Sequence, residues 1–200
     1  MKATLAAIAL LLGVVCAVPA TAESDPTIPV HELCDRLIEV MKQGSQLGFQ
    51  GRENKLRPVI GSVYDMTALT KSTLGLAANK LSPEDLAKLA EAYGRFSVAT
   101  YADQFTSYGG EHFEVDQPRP GVNGTVVVPS VIVSGDGSRT SIDYVVHEAN
   151  GGWAIVDVLF NGSISQVAVR RSEFVPIFRQ NGLSGLITIL DDKIAALEKK

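Results

Sequence analysis

The side chains able to do chemistry are few and far apart. The histidines His31, His112 and His147 share no i, i+4 spacing, and Cys34 has no neighbouring cysteine. Tetrahedral zinc sites need such clusters, so no metal is expected. Ser163 stands in N-G-S-I-S rather than in a G-x-S-x-G elbow, which makes Ser163 and Ser165 turn or cap residues. No G-x-x-x-x-G-K-[ST] loop and no G-x-G-x-x-G occurs, and Gly135-Asp136-Gly137 reads as a turn rather than a calcium loop, so no cofactor is implied. Cys34, among Leu33, Leu37, Ile38 and Val40, reads as a buried structural thiol. One carboxylate stands out. Asp157 lies between Val156 and Val158, where burial would leave it two roles. With Tyr144 or Tyr101 it could move a proton, which needs only reach and a shifted pKa; otherwise it accepts a backbone or tyrosine hydrogen bond. Asn123-Gly124-Thr125 and Asn161-Gly162-Ser163 match the glycosylation pattern but coincide with turn chemistry. No catalytic set assembles from these residues.

The elements that would position them start after a processing signal. Lys2, the apolar stretch Ala3 to Val18 and Ala20-Thr21-Ala22 predict cleavage after Ala22 and export. The apolar run is short for a bilayer span, and Val15 before Cys16 argues against a lipid anchor. Removal of the signal leaves Cys34 alone, so no intramolecular disulfide can form. Residues 23–200 suffice for one domain with its own core. A formal charge of -4, with no basic run interleaved with aromatics, gives no reason to expect nucleic acid.

The central element is a helix beginning at Ser82. Ser82 suits the N-cap, Pro83 the first helical position, and Glu84 and Asp85 the positive end of the helix dipole. At about 100° per residue, Leu86, Leu89, Ala90, Tyr93, Phe96, Ser97, Thr100, Tyr101, Phe105 and Tyr108 fill one wide sector. Lys88, Glu91, Arg95 and Thr106 lie opposite. The sector exceeds an ordinary core stripe and is rich in aromatics with polar tips. It faces either a core or a large ligand. Gly109-Gly110 stops this helix.

Before it, Val30 to Leu47 predicts an amphipathic helix frayed by Gly44 and Gly48. Arg52 to Ile60 predicts a second, interrupted by Pro58, and Asp65 can cap a third that Gly75 ends. After it the period falls to two. Glu111 to Asp116, Gly124 to Ser134, Thr140 to Ala149 and Trp153 to Phe160 predict four antiparallel strands, with hairpin turns at Gly135-Asp136-Gly137 and Asn150-Gly151-Gly152. Pro129 marks an edge or a bulge. In the third strand Ile142, Tyr144 and Val146 form an apolar face, and Ser141, Asp143 and His147 a wet one. Ser172 to Gln180, closed by Gly182, and a helix opened by Ser184 complete the chain. The fold class is α+β: helices over 30–108, a four-stranded antiparallel sheet over 111–160 and C-terminal helices over 163–198. A twisted sheet under long helices leaves a tapered apolar cavity between them.

The segments Y-D-M-T-A-L-T-K-S-T-L-G at 64–75, L-S-P-E-D at 81–85, Y-A-D-Q-F-T-S-Y-G-G-E-H-F at 101–113, W-A-I-V-D-V-L-F-N-G-S-I-S at 153–165 and R-R-S-E-F at 170–174 carry a resemblance in their order and spacing. The chain resembles the MlaC family of periplasmic lipid carriers, also called toluene-tolerance auxiliary proteins, over nearly the whole mature length. The 101–113 segment is most similar to the hopanoid-associated HpnM branch. The resemblance implies a non-enzymatic carrier whose cavity takes the apolar part of a phospholipid or hopanoid. It also implies handover between an inner-membrane MCE-type ABC transporter, or an RND-type transporter, and an outer-membrane lipoprotein complex.

Residue patterns nominate Phe96, Thr100, Tyr101, Phe105, Tyr108, Phe113, Tyr144, Val146, Ile155 and Val158 as cavity lining, each with ordinary core as its alternative. Two further readings stay open: an enzyme acting on a small apolar substrate through Asp157 and a tyrosine, and an adaptor with a filled core.

Overall fold

The computed structural model describes residues 25–149 and 151–199; the cleavage signal at 1–22 lies outside them. Helices come first: α1 (Ile28–Lys42), α2 (Gly44–Val63), α3 (Met66–Leu74), a 3₁₀ turn (Gly75–Lys80) and α4 (Pro83–Gln104). Strands β1 (His112–Val115), β2 (Arg119–Pro120), β3 (Val126–Val128), β4 (Ser130–Val133), β5 (Arg139–Ala149), β6 (Gly152–Phe160) and β7 (Ile164–Ser165) follow, and α5 (Gln166–Glu198) ends the chain. This is the α+β arrangement that the sequence implies, but with seven strands among the described residues rather than four: the predicted second strand divides at Pro129 into β3 and β4, and the two-residue β2 and β7 join the sheet.

Local chemistry sets most helix boundaries. Ser82 Oγ accepts from the Asp85 amide at the start of α4, and Asp65 Oδ1 accepts from the Ala68 amide at the start of α3. The first two helices divide elsewhere than predicted. The first stops at Lys42, and α2 runs from Gly44 through Pro58 with a kink at Gly48 (φ 61°). Helix α4 ends at Gln104, short of Tyr108. Two contacts fix that end: Arg52 Nε donates to the Ala102 carbonyl at 2.7 Å, and the Thr106 carbonyl then passes directly over Gly44. Helix α5 starts earlier than the Ser172 cap predicted. Its cap is Ser165, whose Oγ accepts from the Ala168 amide, and Gly182 (φ 67°) kinks the helix where the sequence places a break.

The sheet is antiparallel, with β5 at its centre between β6 on one side and β3 and β4 on the other. Pro129 is not at an edge, but the outer ladder is irregular beside it: Val115 pairs Ser130 and Arg119 pairs Val127, which leaves one extra residue on the β1–β2 line opposite. The pairs Val128↔Tyr144 and Val131↔Ser141 keep one register across Pro129, so β3 and β4 form one line that only loses a donor. Against β5 itself, the register shift is in β6. Val145 pairs Asp157 but Val146 pairs Ile155, leaving Val156 as the extra residue of a bulge. That bulge resets the strand's parity, so Ile155 and Val158 share the face carrying Val146 and Tyr144. The face predicted to be wet is partly closed: Asp143 is 5% exposed, paired with Arg119 at 3.2 Å, and His147 Nε2 lies 3.1 Å from Asp65 Oδ2.

The core lies between the sheet and the helices, around Leu33, Leu37, Leu56 and Ile60, with Phe174 set edge-on to Tyr93 and Phe96. At one end of the sheet α1 and α2 cover β6. At the other, α4 stands off from the sheet, and the start of α5, packed on α4 and joined to β6 through the Val167 amide and Asp157, bridges them at the side.

Candidate functional site

The gap they leave is a cavity of about 540 Å³. This falls inside the range of small-molecule sites, on the order of 300–1,000 Å³. Its helical wall is the sector of α4 that the periodicity singles out: Tyr93, Phe96, Ser97, Thr100, Tyr101 and Gln104, continued by Phe105. These positions recur at intervals of three and four, so they form one stripe of the helix. Thr100 Oγ1 and Ser97 Oγ donate back to the Phe96 and Tyr93 carbonyls, which hides their polarity and leaves carbon toward the cavity. The opposite wall is the sheet. Thr140, Ile142 and Tyr144, alternate residues of β5, form a row beside Val158 and Phe160 of β6, with Ile132 outside them. Tyr64 and Leu69 close one side; Gln166, Val167 and Arg170 of α5 close another.

Of the residues nominated from sequence, the structure brings together Phe96, Thr100, Tyr101, Phe105, Tyr144 and Val158 on this cavity. Tyr108, Phe113, Val146 and Ile155 are not on it. Val146 and Ile155 are 0% exposed and belong to the core, because α1 and α2 cover that end of the sheet. Phe113 is paired with Ile132 one strand further out, so Ile132 takes the lining place. Tyr108 lies past the end of α4, 42% exposed, with Lys42 Nζ 5.2 Å from its ring centre. Residues that the nominations omit include Tyr93, Ser97 and Ile142, each legible from its stripe or strand parity. No local pattern points to Tyr64, Leu69, Gln166 or Arg170.

The polar groups of the lining are largely engaged. Asp157 Oδ1 accepts from the Val158 and Val167 amides at 2.8 and 3.0 Å, and Oδ2 accepts from Ser165 Oγ. The carboxylate thus ties β6 to the first turn of α5, where the helix dipole favours a negative charge. Arg170 pairs with Glu173 at 3.1 Å and lies 4.9 Å from the Phe96 ring centre, so its charge is balanced locally. The hydroxyls of Tyr64 and Tyr101 are 2.5 Å apart. Burial pushes Tyr101 and Tyr93 up to about 12 from an ordinary 10.0, and Tyr64 and Tyr144 well above that value. These phenols are neutral donors at ordinary pH. Burial also raises the Cys34 thiol, which shares a hydrogen bond with Tyr144, to about 12. Among the described residues no group of three His, Cys, Asp or Glu could hold a metal ion. No described helix is long and apolar enough to cross a membrane. The arrangement is suited to enclosing an apolar body, with neutral hydroxyls, the Gln104 and Gln166 carboxamides and the engaged Asp157 and Arg170 as its polar features.

Comparison with known proteins gives three findings. The family profile described as MlaC protein matches residues 31–192. The toluene tolerance protein ttg2D of Pseudomonas putida is 22% identical over 128 residues, 64% of this chain and 59% of that protein's length. The solved structure of a phospholipid-binding protein from Ralstonia solanacearum, in complex with a phospholipid, superposes with a TM-score of 0.71. At 20% identity it covers 87% of this chain and 99% of its own, which establishes a shared fold.

Proposed function

The chain belongs to the MlaC family, and from that premise we propose that it is a non-enzymatic periplasmic lipid carrier. Residues 1–22 serve as a signal cleaved after Ala22, and 23–200 act as one lipid-binding domain. The cargo is a phospholipid or a hopanoid, held with its apolar part in the cavity between α4 and the sheet. Loading and unloading take place between an inner-membrane transporter, of the MCE-type ABC or RND class, and an outer-membrane lipoprotein complex.

The observation that carries this reading is the aromatic wall of α4 facing an apolar sheet across about 540 Å³. Each CH₂ withdrawn from water gains about 0.8 kcal/mol, so a wall rich in carbon favours an acyl or polycyclic body without a covalent step. The phospholipid complex of the Ralstonia protein, on the same fold, supports this choice of ligand. Both oxygens of Asp157 are committed to Ser165 and to backbone amides. That engagement favours the anchoring role of Asp157 over proton transfer.

The test is native mass spectrometry of mature protein purified from its own periplasm, with extraction and identification of what it carries. A stoichiometric phospholipid or hopanoid is the expected result and names the cargo. Protein that carries no lipid, and takes none from vesicles, overturns the reading.

A further inference from the structure

We infer that the Tyr64–Tyr101 hydroxyl pair recognises cargo, presenting one spare O–H donor that selects lipids with an uncharged acceptor oxygen on the part taken into the cavity. This rests on the carrier reading above. Two phenols carry two protons, and their mutual bond at 2.5 Å uses one of them. Whichever hydroxyl accepts that bond keeps its own proton, and neither has a second hydrogen-bond partner among the described residues. A buried donor left without an acceptor is costly, so the site favours a ligand that supplies one.

The pair is held in place from both sides. Tyr64 stands at the end of α2, where the next amide, Asp65 N, donates to the Ile155 carbonyl of β6 at 3.1 Å. Tyr101 is stacked on Phe105, ring centres 5.8 Å apart, within the stripe of α4 that lines the cavity. Both residues belong to the lining, which places the pair at the wall that an occupant meets. Burial keeps both phenols protonated, which makes the pair a donor rather than a phenolate.

The surroundings decide the kind of acceptor. Leu69, Phe105 and Val158 share the lining, and the cation that lines the cavity, Arg170, is already paired with Glu173. A phosphate would lose its hydration there without a counter-charge. An uncharged oxygen loses far less. The ester carbonyl of a diacyl lipid and the hydroxyl of an alcohol lipid share this chemistry and project their oxygen from the chain, whereas the ether oxygen of a dialkyl lipid lies within the chain, flanked by methylenes, where a fixed donor reaches it poorly.

The experiment loads full mature protein from three vesicle preparations and counts bound lipid by native mass spectrometry. The first is a diester phosphatidylglycerol, the second its diether analogue with the same chains and headgroup, and the third the diether doped with hexadecan-1-ol. The wild type is expected to take the diester over the diether by roughly five- to tenfold, the scale of one net hydrogen bond. Tyr64→Phe and Tyr101→Phe each leave one protonated hydroxyl and keep the preference, whereas the double substitution abolishes it. Equal uptake of diester and diether, with hexadecanol retained by the wild type and lost in the double variant, supports the inference with a hydroxyl as the acceptor. A wild type that shows no preference among the three, or a folded double variant with wild-type preferences, overturns it. A wild type that takes up no lipid at all overturns the carrier reading instead.

Discussion

Asp157 is the residue whose role the structure decides. In sequence it is a carboxylate between two valines; in the fold it accepts two backbone amides and one hydroxyl across the junction of β6 and α5. Asp157→Ala strands those donors, and a loss of about 1–3 kcal/mol in urea unfolding is expected. Asp157→Asn keeps an oxygen for the amides and should lose less. A substitution at Asp157 that leaves the urea midpoint unchanged would contradict the anchoring role. The buried acids make a second prediction at this scale. Cys34, Tyr93 and Tyr101 ionise near 12 in the fold, against ordinary values of 9.0 for the thiol and 10.0 for the phenols. The folded state therefore holds protons that the unfolded chain releases first, so stability falls as pH rises from about 9 to about 12. Denaturant midpoints measured across that window should decline steadily. At pH 8, Cys34 should resist a thiol reagent until the chain is unfolded.

Elements meet through two glycines that admit no side chain. A Cβ on Gly44 would lie 1.9 Å from the Thr106 carbonyl oxygen, and one on Gly135 would lie 1.8 Å from that of Gly109. Both clashes are with backbone, so relief requires moving the chain after α4 away from α2 or from the β4–β5 turn. Gly44→Ala and Gly135→Ala should each destabilise by about 1–3 kcal/mol. Gly61 gives the contrast: it is exposed within α2, and a Cβ there would meet nothing within 4 Å. Gly61→Ala should stabilise by about 0.5–1 kcal/mol through lower chain entropy and better helix propensity. Thermal unfolding of the three variants checks both signs together. The same scale explains the strand face. Along β5, Thr140, Ile142 and Tyr144 line the cavity while Val146, next on that face, is core. Alternation marks the face, but the reach of α1 and α2 over it sets where core ends and cavity begins.

For the whole molecule, the question is whether the cavity can be filled without loss of the fold. Thr100 stands in the middle of the α4 wall, half-buried, with its hydroxyl returned to its own helix. Thr100→Trp is expected to occupy cavity space, leave the unfolding free energy within about 1 kcal/mol of the wild type, and cut lipid uptake from vesicles at least about tenfold. Uptake equal to the wild type would place the cargo elsewhere on the molecule. Core packing is separate from this. Phe174 of α5, edge-on to Tyr93 and Phe96, fastens α5 to α4, so Phe174→Ala should cost about 3–5 kcal/mol and affect stability first.

The sequence by itself determined the features that depend on a few adjacent residues. Asp65 and Ser82 start their helices as a side-chain oxygen next to free amides must, and Gly182 breaks α5 because its positive φ suits glycine. The period of α4 identified the cavity wall, and motif order pointed to the family. Only the tertiary structure decided which residues of a correctly read face meet the cavity. Val146 and Ile155 became core and Ile132 replaced Phe113, because burial depends on which element lies over a strand and how far it extends. The bulge at Val156, which places Ile155 and Val158 on one face, is a matter of pairing between strands and has no period of its own. Tyr64 and Tyr101 meet for the same reason. They are distant in sequence, and only the packing of α2 against α4 brings their hydroxyls together.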